Sequence, residues 1–298
     1  MNRRKLATRC GLAALGVVVL LCFFGWNRSR ASAQTPGQQA TEPPPYRVAE
    51  RARPTQDELR AMLTQQPNEH PLMPTLRWAR YSLHLMDNIQ DYSATVVKRQ
   101  RIDGKLTESE YTFVKIRQKP FSVYMNFLLP STLKGREAIY VEGANHGKIL
   151  GHGTGVQAMF GTVLLDPTGP MAMRGNLYPI TELGVQNLVR RLIEVGEKDA
   201  QYGECEVKFM PTKVNGRPHT CIQVVHPVPR KNFLFHLARI FVDEELNIPT
   251  RFEAWDWPSH PGGQPELMEE YTYVNIKINN GFTDTDFDTR NPNYGYKK

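Results

Sequence analysis

The sequence predicts an α+β protein in which a curved antiparallel sheet of about eleven strands carries two or three helices on its concave side. Apolar residues recur at every second position over most of residues 92–278, which is typical of strands. Helical spacing of three and four is convincing in only two segments. Short turn sequences such as Asn215-Gly216 separate neighbouring strand segments, and these favour antiparallel hairpins.

The first 33 residues have the composition of an export signal. Four basic residues precede an apolar run over residues 10–26, and Ala31-Ser32-Ala33 follows. A basic start, a short apolar run and a small-x-small end are typical of a cleaved signal peptide. The run is also at the short edge of the ~17–25 residues that span a bilayer, so an uncleaved anchor is the alternative. We therefore expect a periplasmic or other extracytoplasmic location, either free or anchored to the membrane through residues 10–26.

The basic charge of the chain belongs mostly to this signal. Residues 1–33 hold six of the 37 Lys and Arg residues and none of the 30 Asp and Glu residues. The remaining chain therefore carries 31 basic and 30 acidic groups. Such a balance gives no reason to expect a nucleic-acid partner.

Residues 34–56 form the second segment, which is rich in Gln, Thr, Pro and Ala around Pro43-Pro44-Pro45. A segment of this composition buries too little apolar surface to fold, so we expect a disordered linker. Residues 57–298 then form a single domain.

Two helices follow from apolar stripes. Residues 75–90 place apolar side chains three and four positions apart, and so do residues 185–193. For the second helix, Thr181 is the expected N-cap and Gly196 the expected stop. A weaker pattern predicts a third, shorter helix over residues 57–63.

The remaining segments alternate as strands do. We expect an antiparallel meander of strands near 92–101, 108–118, 121–129, 137–142, 147–152, 161–165, 204–210, 217–225, 235–243, 249–257 and 268–278.

Several of these strands are apolar on both faces. Tyr111 and Phe113, for example, oppose Val114 and Ile116. A sheet of this kind needs cover on both sides, from helices or from a ligand. Either the helices fill the concave face completely, or an apolar cavity remains between them and the sheet. The candidate residues for binding an apolar ligand in such a cavity are Phe121, Val123, Met125, Phe127 and Tyr140.

Arg99, Arg136 and Glu137 are charged residues beside these apolar rows. Arg99 and Arg136 are candidates for orienting a carboxylate or phosphate headgroup at the rim of a cavity. The alternative for these residues is a cross-strand ion pair, which contributes little.

Several continuous segments of the chain resemble a known family. They run over residues 92–99, 102–106, 119–125, 134–137 and 140–143, and towards the C-terminus over 242–249, 271–273 and 287–294. Over roughly residues 75–296 the chain resembles an uncharacterised family of planctomycete-type bacteria, domain of unknown function 1571. The resemblance implies a LolA-type half-barrel, the fold of periplasmic lipoprotein carriers and envelope-stress sensors, which holds acyl chains in its apolar concavity. It implies no particular binding residue.

Cys205 and Cys221 are the cysteines outside the signal. An even count in an oxidising compartment allows one disulfide. A two-residue turn at Asn215-Gly216 would set the two cysteines about five residues out of register, whereas a wider loop near Lys213 would bring them together. Both arrangements stay open at this point.

No catalytic or metal site can be assembled from the sequence. The glycine-rich run around His152 resembles part of an oxyanion hole, but no G-x-S-x-G motif accompanies it. The eight histidines are scattered without metal-ligand spacing, and we expect neither a metal nor a cofactor.

Three functions follow, in order of preference. The first is a non-catalytic periplasmic protein that binds an apolar ligand, which is a lipid or an acylated lipoprotein. The second is an envelope sensor or scaffold that binds a protein partner. The third is a hydrolase that uses His152 or a nearby acidic residue.

Overall fold

The computed structural model describes residues 55–296. The expected signal or anchor over residues 1–33 lies outside the described residues, as does nearly all of the expected linker. In the described part of the chain, no helix is both long enough and apolar enough to cross a membrane.

Four helices are present in the described residues: α1 (Gln56–Leu63), α2 (Met73–Met86), α3 (Pro170–Met173) and α4 (Val185–Asp199). Helix α1 begins where Thr55 and Glu58 form a capping box, because the Glu58 N–H donates to Thr55 Oγ1 at 3.2 Å while the Thr55 N–H donates to Glu58 Oε2 at 2.8 Å. The helix confirms the weakest of the three helix predictions.

Twelve strands form one sheet within residues 55–296, and every contact between neighbours is antiparallel. All eleven predicted strands are present. The twelfth, β2, is a two-residue partner of β1 across the turn at Asp103-Gly104. The strands are β1 (Asp91–Ile102), β2 (Lys105–Leu106), β3 (Glu110–Arg117), β4 (Ser122–Leu129), β5 (Glu137–Val141), β6 (Ile149–His152), β7 (Thr162–Leu165), β8 (Glu206–Val214), β9 (Arg217–Val225), β10 (Leu237–Asp243), β11 (Ile248–Asp256) and β12 (Glu266–Ile278).

The sheet consists of two meanders, so the expectation of a single meander is wrong. Its strand order is β7-β6-β5-β4-β3-β1-β12-β11-β10-β9-β8. The chain runs from the centre to one edge, crosses through α3 and α4, and returns from the other edge to place β12 beside β1. The α+β class and the open, curved antiparallel sheet with a few helices are confirmed.

Helices α2 and α4 cover part of the concave face. Met86 of α2 and Val185 and Val189 of α4 share a core with strand residues such as Val114 and Ile116. This core closes one end of the space between the helices and the sheet.

The start of α4 is fixed by β1 and not by a side chain of its own segment. The Val185 N–H donates to the Tyr92 hydroxyl at 2.9 Å, while Gly184 has a φ of 117°. A Cβ on Gly184 would lie 2.8 Å from that hydroxyl oxygen, so only glycine fits there. The prediction of Thr181 as N-cap is wrong, since Thr181 lies in a short 3-10 turn that precedes the helix.

Gly196 is not the stop of α4, which continues to Asp199. Instead, Gly196 lets α2 approach, because a Cβ there would lie 3.0 Å from Leu76 Cδ2. We expect Gly196→Val to push the two helices apart and to lower the free energy of unfolding by about 2 kcal/mol. Urea unfolding would measure this loss. Gly203→Val is the control, since nothing lies within 4 Å of a Cβ at Gly203, and equal losses in both variants would contradict the packing role.

The C-terminal segment covers the convex face over β3 to β6. Phe287 and Tyr296 pack against Tyr124 and Ile139, and the ring of Tyr294 stacks on that of Tyr124 with centroids 3.9 Å apart. The second apolar face of these strands is therefore covered by the protein's own tail, which the apolar alternation alone did not indicate.

Glu137 fastens this tail to the sheet. Its carboxylate accepts a hydrogen bond from the Tyr124 hydroxyl at 2.6 Å and another from the Gly295 N–H at 2.6 Å. We expect Glu137→Gln to loosen the tail and to destabilise the fold by about 1–2 kcal/mol, because the amide accepts through only one oxygen. Limited proteolysis should then cut after residue 281 sooner than in the parent. Glu142→Gln, an exposed change directly after β5, is the control. Unchanged cleavage of Glu137→Gln would contradict the fastening role.

The two cysteines are free and buried, so the disulfide is not formed. The hairpin closes at Asn215-Gly216, which pairs Met210 with Cys221 and Glu206 with Val225. Cys205 therefore lies well out of register with Cys221. The two-residue turn, one of the two arrangements considered, is the one observed.

Candidate functional site

A cavity of about 1190 Å³ lies between the concave face of the sheet and the helical side of the protein. Its walls come from β1 and β3–β7, from α4, and from the connection 171–184. Strands β11 and β12 contribute further residues. The helices therefore do not fill the concave face, and of the two arrangements that the sequence left open, the structure has the cavity.

Small side chains in one row of the sheet leave room for this cavity. Val114, Met125, Ala138, Gly151 and Val163 pair in register across β3 to β7, and all five line the cavity. Ala138 and Gly151 stand in the middle of the row. Leu188, Leu192 and Val195 of α4 face the same space. The walls are therefore predominantly apolar.

The predicted apolar row of β4 is divided between this cavity and the core. Met125 and Phe127 line the cavity. Val123 is fully buried in the core with the helices, and Phe121 packs against that core. Tyr140 lies beside Phe121 with ring centroids 6.3 Å apart, away from the cavity walls.

Of the two predicted rim arginines, only Arg136 lines the cavity. Arg99 Nη1 lies 3.2 Å from Glu270 Oε1 in a cross-strand ion pair, which is the alternative that the sequence left open. The separation follows from strand parity, since Val96, Lys98 and Gln100 of β1 line the cavity and the residues between them do not.

Polar groups on the cavity wall that the sequence analysis missed surround Glu269. Its carboxyl accepts hydrogen bonds from the Tyr178 hydroxyl at 3.0 Å and the Tyr271 hydroxyl at 2.9 Å, and Gln100 donates to Tyr271. Burial raises the pKa of the Glu269 carboxyl above its usual value, although the two tyrosine hydrogen bonds act in the opposite direction. The available signal was an acidic residue in step with Tyr271 and Tyr273 on one face of β12.

Large apolar side chains are exposed around one end of the cavity. Met159 is 83% exposed and Phe160 75% exposed, in the 3-10 segment Gly155–Phe160. Met171 and Leu177 are exposed on the connection before α4. Phe160, Met171 and Leu177 also line the cavity, so this apolar surface continues from its wall to solvent.

A family model covers most of this domain. Residues 89–296 match the family described as "Protein of unknown function (DUF1571)". The chain belongs to this family. No curated protein matches the sequence.

Several solved structures are similar to this DUF1571 protein at low identity. The LolA superfamily protein from Nitrosomonas europaea has 9% identity and a TM-score of 0.30, with 70% of this chain and 97% of that chain covered. The Mycobacterium tuberculosis lipoprotein LppX has 12% identity and a TM-score of 0.38, with 68% and 94% covered. An uncharacterised conserved protein from Thermus thermophilus has 13% identity and a TM-score of 0.40, with 72% and 92% covered. At this identity, none of these likenesses bears on which ligand the DUF1571 chain binds.

His152, the candidate for a hydrolase, packs against the C-terminal tail and is also among the residues that line the cavity. It pairs in register with Glu137, and its ring lies 5.3 Å from that of Tyr296. A Cβ on Gly295 would lie 3.6 Å from the imidazole. The tail therefore covers His152. Within residues 55–296, no group of three or more His, Cys, Asp or Glu residues is placed to hold a metal ion.

Proposed function

We propose that this protein is a non-catalytic extracytoplasmic protein that binds an apolar ligand, a lipid or the acyl chains of a lipoprotein, in the cavity between sheet and α4. The observation that carries the proposal is a cavity of about 1190 Å³ with predominantly apolar walls. Pockets for small molecules usually measure about 300–1,000 Å³, so this cavity has room for a ligand of lipid size.

The energetics of such binding are favourable. Each buried methylene contributes about 0.8 kcal/mol, so a chain of about twelve methylenes gains roughly 10 kcal/mol before association costs are subtracted. Those costs are about 4–15 kcal/mol for lost freedom of motion, although a chain that enters a preformed cavity pays at the lower end. About 6 kcal/mol then remains, so a dissociation constant in the tens of micromolar is attainable without any polar contact, and a longer chain binds more tightly.

The exposed apolar residues at one end support a route for the ligand. Met159, Phe160 and Met171 carry apolar surface from solvent to the cavity wall. An acyl chain that passes over them leaves its lipid or micelle with less exposure to water. This geometry supports exchange of a ligand with a membrane or with another protein.

Native mass spectrometry of the protein purified from an envelope fraction without detergent tests the proposal. We expect a discrete added mass that disappears on extraction with organic solvent and names the class of ligand. A protein mass without ligand, together with failure to protect a fluorescent acyl probe, would contradict the proposal. The partner-binding scaffold would then be preferred.

The proposed location rests on residues 1–33 alone and needs its own test. N-terminal sequencing of the protein from a periplasmic fraction should begin at Gln34 if the signal is cleaved after Ala33. Recovery of the protein with the membrane and an intact N-terminus would support the anchor. Recovery in the cytoplasm would contradict both.

A further inference from the structure

Two of the five Lys and Arg residues on the cavity wall, Lys98 and Arg191, are paired with carboxylates. Lys98 Nζ lies 3.1 Å from Glu110 Oε1 and donates to Asn176 Oδ1 at 2.6 Å. Arg191 lies 3.7 Å from Glu182 and stacks over the ring of Tyr178, with its guanidinium carbon 4.7 Å from the ring centroid. These charges contribute to the wall itself and leave little for a ligand.

Arg136 differs from them. Its Nε is buried from solvent and has no hydrogen-bond partner, and no carboxylate among residues 55–296 lies within 4.0 Å of its guanidinium. A buried donor without a partner costs about 1–3 kcal/mol, and more when the group is charged. An unmet donor in the wall of a ligand cavity indicates a partner that the ligand supplies.

The position of Arg136 is fixed by its backbone. Its N–H donates to the Leu133 carbonyl at 3.0 Å, and its own carbonyl accepts from the Phe127 N–H at 3.0 Å. Alternation along the strand places it on the side of Ala138, opposite to the side on which Glu137 holds the tail. The guanidinium therefore belongs to the cavity.

Arg136 also lies at the end of the cavity that carries the exposed apolar residues. A Cβ on the neighbouring Gly135 would lie 3.1 Å from Thr154 Cγ2, directly before the 3-10 segment Gly155–Phe160. The apolar row through Ala138 and Gly151 begins two residues further along β5. A ligand with its chain along this row would present its head to Arg136.

We propose that Arg136 binds the anionic headgroup of the ligand, a carboxylate or a phosphate. The proposal rests on the proposed function and adds the polarity of the ligand to it. The planar guanidinium fork matches both oxyanions through two parallel hydrogen bonds, which a lysine cannot reproduce. The apolar chain then supplies most of the affinity, and Arg136 selects the head.

Three probes with the same chain and fluorophore test this assignment: a labelled dodecanoic acid, the corresponding dodecyl phosphate and the corresponding dodecanol. Affinities are measured without detergent for the full protein, Arg136→Gln, Arg136→Lys and Arg60→Gln. Arg60 is the matched control, because it is an exposed arginine on α1 that does not line the cavity, and its loss changes the net charge equally. Near-UV circular dichroism checks that each variant is folded.

We expect Arg136→Gln to weaken one or both anionic probes by about tenfold or more, which is about 1.4 kcal/mol, and to leave the alcohol unchanged. Arg136→Lys should recover part of the loss, and Arg60→Gln should stay within about twofold of the parent. A greater loss for the phosphate assigns a phospholipid-type head, and a greater loss for the carboxylate assigns a fatty acid. Equal anion affinity in the parent and in Arg136→Gln would overturn the assignment, as would equal losses in Arg60→Gln. Failure of the parent to bind even the alcohol would overturn the proposed function itself.

Discussion

Replacement of Ala138 by tryptophan is expected to weaken the binding of a long acyl chain by about 100-fold. Ala138 lies in the middle of the row that lines the cavity, between Met125 and Gly151 on the neighbouring strands. An indole there occupies the space left by two small residues. If it displaces about four methylenes of a bound chain, the lost contacts amount to about 3 kcal/mol, which corresponds to a factor of about 100 in affinity.

The effect should depend on the length of the ligand. A chain short enough to stay clear of the indole loses little, so the measurement compares labelled octanoic and hexadecanoic acids by fluorescence titration. Ala61→Trp is the matched control, because Ala61 is exposed on α1 and does not line the cavity. The lining is apolar, so Ala138→Trp should stay folded and retain its thermal transition.

Two results would contradict this reading of the cavity. If Ala138→Trp bound hexadecanoic acid as tightly as the parent does, the ligand would lie elsewhere on the protein. If the control lost affinity equally, the tryptophan would act on the probe or on the protein as a whole. A loss confined to Ala138→Trp and to the longer chain is the expected outcome.

The strands of this fold could be predicted from the sequence because their signal is local. Alternation and two-residue turns identify eleven of the twelve, and β2 is too short to show any alternation. The order of the strands could not be predicted in the same way. Hairpin turns join neighbours in the sequence, whereas the pairing of β1 with β12 joins opposite ends of the domain and has no local signal.

The limits of α4 illustrate the same difference. Thr181 has the side chain of a good N-cap, yet the Tyr92 hydroxyl, which belongs to β1, accepts from the first turn of the helix. Glycine is a residue type that often ends helices, yet Gly196 lies inside α4. The close approach of α2 explains why this position has no side chain. Local propensity depends only on the residues of the segment itself, so it cannot account for a contact from a distant part of the chain.

The candidate site was predictable only in outline. Apolar residues on both faces of the strands indicated that something must cover each face, but not which face the tail would take. The two rim arginines have similar sequence surroundings. They differ in the face of the strand on which they lie, so that Arg136 lines the cavity and Arg99 forms an ion pair. Parity depends on register, which the pattern alone leaves open where both faces are apolar.

Asp199 is a buried acid that the proposed function does not use. It is 2% exposed at the C-terminal end of α4, and its Oδ1 has no hydrogen-bond partner. Its Oδ2 lies 3.4 Å from Nε2 of His226. Burial lowers the pKa of His226. Burial raises the pKa of the Asp199 carboxyl to about 6. The negative end of the helix dipole also disfavours a carboxylate at this position.

Asp199→Asn is therefore expected to stabilise the protein at neutral pH. The folded-state pKa of about 6 lies above the unfolded value of 3.8, so the ionised carboxyl disfavours folding. Below pH 3.8 the acid is protonated in both states and the penalty is absent. It grows as the pH rises from 3.8 to 6 and is then complete, at about 3 kcal/mol for a difference of about two pKa units.

The measurement is the difference in the free energy of unfolding between Asp199→Asn and the parent, from urea titrations between about pH 4 and pH 8. The effect of His226 on stability has the opposite pH dependence, because its lowered pKa removes stability as the pH falls below the usual histidine pKa. The difference in unfolding free energy between variant and parent, plotted against pH, separates the two groups. Cys205 also lies near Asp199, but burial raises the pKa of its thiol to about 12, so it stays protonated throughout this range.

Asp103→Asn is the control, since Asp103 is exposed in the hairpin turn before Gly104 and asparagine suits the same turn. The expected difference for Asp199→Asn is near zero at about pH 4 and about 3 kcal/mol in favour of the variant above about pH 7. A variant that is less stable than the parent at neutral pH would mean that the carboxylate is held by an ion pair with charged His226. Folding would then depend on the charged pair, and stability would be lost on both sides of its titration range.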